Sequence, residues 1–206
     1  MSFHDLATEL IEHFCAYLAP SDLRAVARVC RLHQAIAYRI IYQDVHINTR
    51  TLPVVLILAS NPHLARMVRT LMIVFDGCAA IRPSHCQQIA TVLADMRELT
   101  SLSIVTSPSH ASTILSTGPD AFFPRLTSLH ISGLRDYHVA IRFLGKSPNL
   151  SSLGFGQDIP ELAHALPCTY RPRAGCTRLR FDPVISRRVG SSGLGPQRLC
   201  TYLPTY

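Results

Sequence analysis

The stretch Leu99-Thr-Ser-Leu102-Ser-Ile104 decides how this chain is expected to fold, because it recurs. It returns as Leu126-Thr-Ser-Leu129-His-Ile131 and as Leu150-Ser-Ser-Leu153-Gly-Phe155. Counting matches to the template L-x-x-L-x-[IF], we expect about 0.4 by chance for this composition. Looser copies occupy residues 68–73 and 176–181, so the five copies start 24 to 31 residues apart. The chain therefore contains an internal repeat.

Repeats of this period and pattern resemble leucine-rich repeats. In such a unit the second leucine and the final apolar residue point inward from a short strand, and the first leucine turns inward from the preceding loop. One unit cannot bury its apolar face alone, so neighbouring units stack with parallel strands. We therefore predict a short leucine-rich-repeat solenoid over residues 51–182.

The predicted repeats are irregular. Leucine-rich repeats usually carry Asn or Cys three residues after the last strand position. Here those positions hold Asp76, Ser107, Leu134, Asp158 and Val184.

Helical patterns are predicted between the strands. They cover residues 52–59, 84–96, 136–145 and 159–166. Ser84 and Gln87 have the spacing of a capping box, and Asp136 is a suitable N-cap for a helix that stops near Gly145.

Residues 3–47 follow a different pattern, with apolar residues three or four positions apart, as on one face of a helix. A first helix is expected to run to Leu18, a second to begin at Pro20, and a third to cover about residues 32–42. Residues 44–47 alternate and predict a strand. Short amphipathic helices bury little surface by themselves. This module is therefore expected to rest on a partner or on the remainder of the chain.

Residues of the helical module match a pattern that runs roughly L-P-x-E-L-L-x-x-I-F-x-x-L-x-x-x-D-L and then V-C-R-x-W. The matching positions are Leu6, Glu9, Leu10, Ile11, Phe14, Leu18, Asp22, Leu23, Val29, Cys30 and Arg31. The module therefore resembles an F-box, the family with this pattern. Departures from that pattern are Ala7 for Pro, His13 for Ile and His33 for Trp. An F-box followed by irregular leucine-rich repeats also resembles a large class of fungal proteins. The predicted fold class is then α/β, a helical F-box followed by an irregular solenoid with a parallel sheet.

The resemblance implies a substrate-recognition subunit of an SCF-type ubiquitin ligase. The F-box would bind a Skp-family adaptor, and through it a cullin, while the repeats would bind a client protein of unknown identity. The residues implied in adaptor binding are Leu6, Glu9, Leu10, Ile11, Phe14, Leu18, Leu23, Val26 and Val29. Candidate client-binding residues are the outward strand positions Ser101, Ser103, Ser128, His130 and Ser152.

Two alternatives remain open at this point. The helical stripes can instead pack against one another and against the repeats, which would make the chain a scaffold for protein–protein interaction with its helices as a solenoid cap. The net charge of +7 arises at the end of the chain, where residues 168–206 hold seven Arg and one acidic residue. Weak nucleic-acid binding by this basic region is the second alternative. Residues 183–206 are expected to form a poorly ordered basic tail.

The composition and the residue spacings exclude several classes of protein and several kinds of site. Hydrophobic residues make up 48% and charged residues 16%, which favours a folded core. No apolar run approaches the roughly 18 residues that a membrane span needs. No secretory signal is expected, because Asp5, Glu9 and Glu12 stand where a signal peptide would carry basic charge, so we predict a cytoplasmic or nuclear location. Seven cysteines without C-x-x-C spacing and ten scattered histidines predict neither a disulfide framework nor a metal site. No catalytic motif is found, so neither an enzyme nor a cofactor is expected.

Overall fold

The repeated segments form neighbouring strands of one sheet. The computed structural model of the chain describes residues 8–75, 81–118, 120–134, 136–156 and 178–179. Within these residues, every strand pairs in parallel with the strand that follows it along the chain. The strands are β1 (Asp44–Ile47), β2 (Thr70–Val74), β3 (Ser101–Val105), β4 (Ser128–Ser132), β5 (Ser152–Phe155) and the two-residue β6 (Arg178–Leu179).

The strand register superimposes the repeats. Leu71 lies beside Leu102, and the equivalent leucines of β4 and β5 continue the row. A second row runs two residues further along each strand, and the first residue of each repeat is buried behind them. The α/β class and the parallel sheet are therefore confirmed. The buried positions are Val45, Leu71, Leu102, Leu129 and Leu153, then Ile47, Ile73, Ile104, Ile131 and Phe155, and finally Val68, Leu99, Leu126 and Leu150.

Five of the eight helices in the described residues begin at a proline, whose fixed φ and missing N–H suit the first helical position. They are α1 (Thr8–Cys15), α2 (Pro20–Val26), α3 (Arg31–Gln43), α4 (Pro53–Ser60), α5 (Pro62–Ala65), α6 (Pro83–Asp95), α7 (Pro108–Leu115) and α8 (Tyr137–Leu144). None of these described helices is long and apolar enough to cross a membrane.

The helices that follow β1 to β4 cover a single face of the sheet. Apolar residues of α4, α6, α7 and α8 share one core with alternate residues of the strands. The intervening strand residues are only partly buried. Crossovers between adjacent parallel strands are almost always right-handed, and with strands in sequential order this places the connecting helices on the same side. Among the described residues, no helix shares a core with the opposite face of the sheet, and we call it the open face.

Most predicted elements between the strands are present. The helix at 52–59 is confirmed as α4, and the Asp136 carboxylate accepts a hydrogen bond from the His138 backbone N–H at 3.0 Å, as an N-cap should. The capping box at Ser84 is wrong, because Pro83 already occupies the first helical position and no side chain caps α6. The predicted helix at 159–166 lies outside the described residues. The short helices α5 and α7 were not predicted.

The predicted elements of the helical module need one correction. α1 ends at Cys15, and Leu18 lies in the turn after it, where its N–H donates to the Cys15 carbonyl at 3.1 Å. The second and third helices are confirmed. The predicted strand at 44–47 is confirmed as β1, and it pairs with β2 as the first strand of the sheet.

Candidate docking surfaces

The helical module has a small core of its own. α1 and α2 both pack on α3. Ile11 and Cys15 project from α1 into this core, where they meet Leu23, Ile36 and Ala37. All five are at most 4% exposed.

Large apolar side chains on the outer side of α1, and in the turn that follows it, are more than half exposed. Leu10, Phe14 and Tyr17 are 57%, 53% and 78% exposed. Leu10 and Phe14, four residues apart, lie on one face of α1, and Tyr17 lies in the turn after the helix. We call these three residues the α1 ridge. Val29 and Leu32, around the start of α3, are also exposed. Exposed apolar side chains concentrated on one element are typical of interaction surfaces.

Some of the residues implied in adaptor binding are exposed on the surface of the helical module, and others are buried in its core. Glu9, Leu10, Phe14 and Val29 are exposed, and Leu18 and Val26 are half-buried against the module core. Ile11 and Leu23 are buried in that core, so neither side chain is accessible to a partner in this conformation. The cause is the helical rotation of about 100° per residue, which sends Leu10 and Ile11 in different directions. Leu6 lies outside the described residues.

α3 belongs to two cores at once. Ile36 and Ala37 face the module core, whereas Tyr38 and Tyr42 pack against the core of the sheet. The two tyrosine rings meet edge to face, with centroids 6.0 Å apart. Burial raises the pKa of Tyr42, and the neighbouring Tyr38 adds to the shift. α3 therefore covers one end of the sheet core and carries α1 and α2 on its other side.

An ion pair adds a second link between α1 and α3. Arg39 Nη1 lies 2.8 Å from Glu12 Oε1. Both side chains are partly solvated, so the pair contributes at most about 1 kcal/mol. The attachment of α1 thus depends on its buried apolar residues.

The candidate client-binding residues all lie on the open face. Ser101 pairs with Ser128, which pairs with Ser152, and Ser103 pairs with His130, so the five are neighbours across three strands. Ser152 is exposed, and the other four are partly exposed. The rows continue onto β1 and β2, which was not predicted, because the first repeat matches the template only loosely and residues 44–47 belong to the predicted helical module. The added residues are Asp44, His46, Thr70 and Met72.

His130 packs tightly against the neighbouring strand on the open face. A Cβ atom at Gly154 would lie 2.7 Å from Nδ1 of His130. The imidazole therefore lies over the glycine of the next strand. His130 is available to a client only through the ring edge and face that this contact leaves open.

Nothing in the described ranges forms an obvious catalytic or metal centre. No group of three His, Cys, Asp or Glu residues there could hold a metal ion. Cys15 and Cys86 are buried, and burial raises the pKa of both thiols. A thiol with a raised pKa forms little reactive thiolate at neutral pH.

No protein-family model matches the chain, and no curated protein is significantly similar to it. Functional inference therefore depends on the two surfaces described above, the α1 ridge and the open face.

Proposed function

We propose that this chain is a substrate-recognition subunit of an SCF-type ubiquitin ligase. The helical module would bind a Skp-family adaptor, and the open face, as the inner surface of degenerate leucine-rich repeats, would bind the client protein. The observation that carries the proposal is the α1 ridge, an exposed apolar surface on a helix whose other side is anchored by Ile11 and Cys15.

The packing of the three helices of the module favours docking over capping. A cap for the sheet core needs only α3, whose Tyr38 and Tyr42 already pack there. α1 and α2 pack mainly on α3. Large apolar side chains on the far side of α1 add nothing to a cap, whereas a partner that covers them gains about 25 cal/mol for each Å² removed from water.

The proposed activity needs no reacting group in this chain. A receptor that binds the adaptor and the client together raises the local concentration of client lysines near the ubiquitin-charged conjugating enzyme. The chemistry would take place on other subunits, and the client would be selected by the open face. The competing proposal is a scaffold without a ligase partner. It is supported by the contacts through which α3 caps the sheet core, because these contacts stabilise the repeats.

Direct binding to a purified Skp-family adaptor tests the proposal. The double variant Leu10→Asp/Phe14→Asp places two charges on the α1 ridge. The matched control is Leu56→Asp/Phe122→Asp, because these side chains lie outside the helical module and are 54% and 51% exposed, close to the exposure of the ridge pair. We expect wild type and control to bind at micromolar concentration, and the ridge variant to bind at least about tenfold more weakly.

Thermal unfolding of all three proteins distinguishes docking from capping. The proposal predicts that the ridge variant retains the melting temperature of wild type, since both side chains are already half in solvent. If wild type ignores the adaptor, or if the ridge and control variants lose binding equally, the ligase assignment is wrong. A large fall in the melting temperature of the ridge variant alone would support the cap instead.

A further inference from the structure

Lys146 is the only lysine among the 206 residues, and all other basic side chains apart from histidine are arginine. This matters chemically, because the lysine amine accepts ubiquitin and other acyl groups and the arginine guanidinium does not. In that step the neutral amine attacks the thioester carbonyl carbon. The C–N bond forms as the C–S bond breaks, the thiol leaves, and the amine loses one proton to solvent.

The Lys146 amine makes three hydrogen bonds in the structure. Nζ of Lys146 donates to the Thr117 carbonyl at 2.9 Å, to the Thr117 hydroxyl at 3.1 Å and to the Gly118 carbonyl at 2.7 Å. An ammonium group has three hydrogens, and three acceptors surround it. Thr117 is itself only 8% exposed. We call this arrangement the lysine clip.

The backbone of Lys146 is also fixed, because both its carbonyl and its N–H group make hydrogen bonds. The Lys146 backbone carbonyl accepts a hydrogen bond from the Phe123 N–H at 2.9 Å, and its own N–H donates to the Phe143 carbonyl at 3.0 Å. Phe123 and Phe143 are buried and stack with ring centroids 5.0 Å apart. The stem of the lysine thus starts from a fixed position at the end of α8 and reaches the segment that follows α7.

Electrostatics alone would make this amine more reactive, not less. Desolvation lowers the pKa of Lys146, the charge of Arg142 lowers it further, and Asp120 opposes the change. A lower pKa supplies more neutral amine at a given pH. The neutral amine has two hydrogens and one lone pair. Attack nevertheless requires that lone pair to turn away from the surrounding acceptors and reach a bulky thioester, so access is the deciding factor.

We infer that the fold withdraws the only lysine of this chain from acylation. One consequence rests on the proposed function: within a ligase complex, ubiquitin would pass to the client and not to Lys146.

Acylation of the folded chain tests the inference without any ligase. The probe is a water-soluble acetyl N-hydroxysuccinimide ester, and mass spectrometry follows modification at each site. The variants Arg66→Lys and Arg97→Lys add a reference lysine at exposed positions of the same protein. We expect Lys146 to react more than about tenfold more slowly than either reference lysine, since one hydrogen bond to a charged group provides about that much protection. In concentrated urea the rates should converge. A rate for Lys146 within tenfold of the references in the folded protein overturns the inference.

A reconstituted complex tests the consequence for ubiquitin. With adaptor binding established first, the Arg66→Lys chain should accept ubiquitin at position 66 while Lys146 remains unmodified. Ubiquitin found on Lys146 of the bound wild-type chain, at a rate comparable to position 66, contradicts the consequence. A failure of adaptor binding removes the proposed function and leaves the acylation result intact.

Discussion

The hydroxyl of Thr127 donates a hydrogen bond to the backbone carbonyl of Thr100 on the preceding repeat, with an oxygen–oxygen distance of 3.1 Å. The same carbonyl accepts the backbone N–H groups of Thr127 and Ser128 at 2.9 and 3.0 Å. Thr100 does the same to the Arg69 carbonyl at 2.9 Å, and Ser151 to the Thr127 carbonyl at 3.0 Å. This hydroxyl ladder explains why the second position of the repeated motif is Thr or Ser.

Removing one step of the hydroxyl ladder should lower stability modestly. Thr127→Val keeps the shape of the side chain and loses the hydroxyl, so we expect the free energy of unfolding to fall by about 0.5–1.5 kcal/mol. Urea denaturation measures the change. Thr127→Ser retains the donor and should recover most of the loss, which an effect of side-chain shape would not produce.

Substitutions in the inward leucine row should lower stability far more. Leu102 and Leu129 are at most 1% exposed, and Leu129→Ala should lower the free energy of unfolding by about 2–5 kcal/mol through lost transfer energy and a cavity. Ser103→Ala, on the open face of the adjacent strand, should change it by less than about 0.5 kcal/mol. Similar losses for the two variants would contradict the assignment of inner and outer strand faces.

Gly133 is expected to resist substitution for a backbone reason. Its φ is +91°, and a Cβ atom there would lie 2.0 Å from the Thr106 carbonyl oxygen. Gly133→Ala should therefore lower the free energy of unfolding by more than about 2 kcal/mol, combining strain and a clash with backbone. Gly118→Ala is the matched control, because nothing lies within 4 Å of its added carbon. Thermal unfolding of the two variants gives the comparison, and equal melting temperatures would refute the expectation.

Tyr42 should make the protein sensitive to alkaline pH. Its pKa is raised in the folded state, so the unfolded chain loses this proton first, from its ordinary pKa of 10.0. The stabilisation is complete below that pH and is lost as the pH rises through the folded pKa. Tyr42→Phe should reduce the loss of unfolding free energy between pH 9 and 11, measured by urea titration at each pH. Tyr17→Phe, at a position 78% exposed, should leave that loss as in wild type.

The sheet was predictable because its signal is periodic and local. Leucines that recur at fixed positions specify both the inward face of each strand and the pairing of each strand with the next. α7 was missed for the opposite reason. Its sequence is rich in Ser and Thr, which compete with the backbone for hydrogen bonds and weaken a helical pattern. Pro108 after Ser107 was the available signal for its start.

The candidate site was only partly predictable. An apolar stripe identifies a helix that packs against something, but it does not say which apolar residue faces which neighbour. Leu10 and Ile11 are adjacent in sequence, and only the packing of α1 on α3 sends one outward and the other inward. The lysine clip joins residues 29 positions apart through backbone carbonyls, which leave no trace in sequence.

The double membership of α3 has a geometric consequence. Since the same helix is packed into both hydrophobic cores, the module cannot swing on a hinge without breaking contacts of Ile36 on one side or Tyr42 on the other. A molecule seated on the α1 ridge and another seated on β3 or β4 would stand a set span apart. The chain would then fix the distance between its two bound partners, and only groups of one partner at that distance would come close to the other.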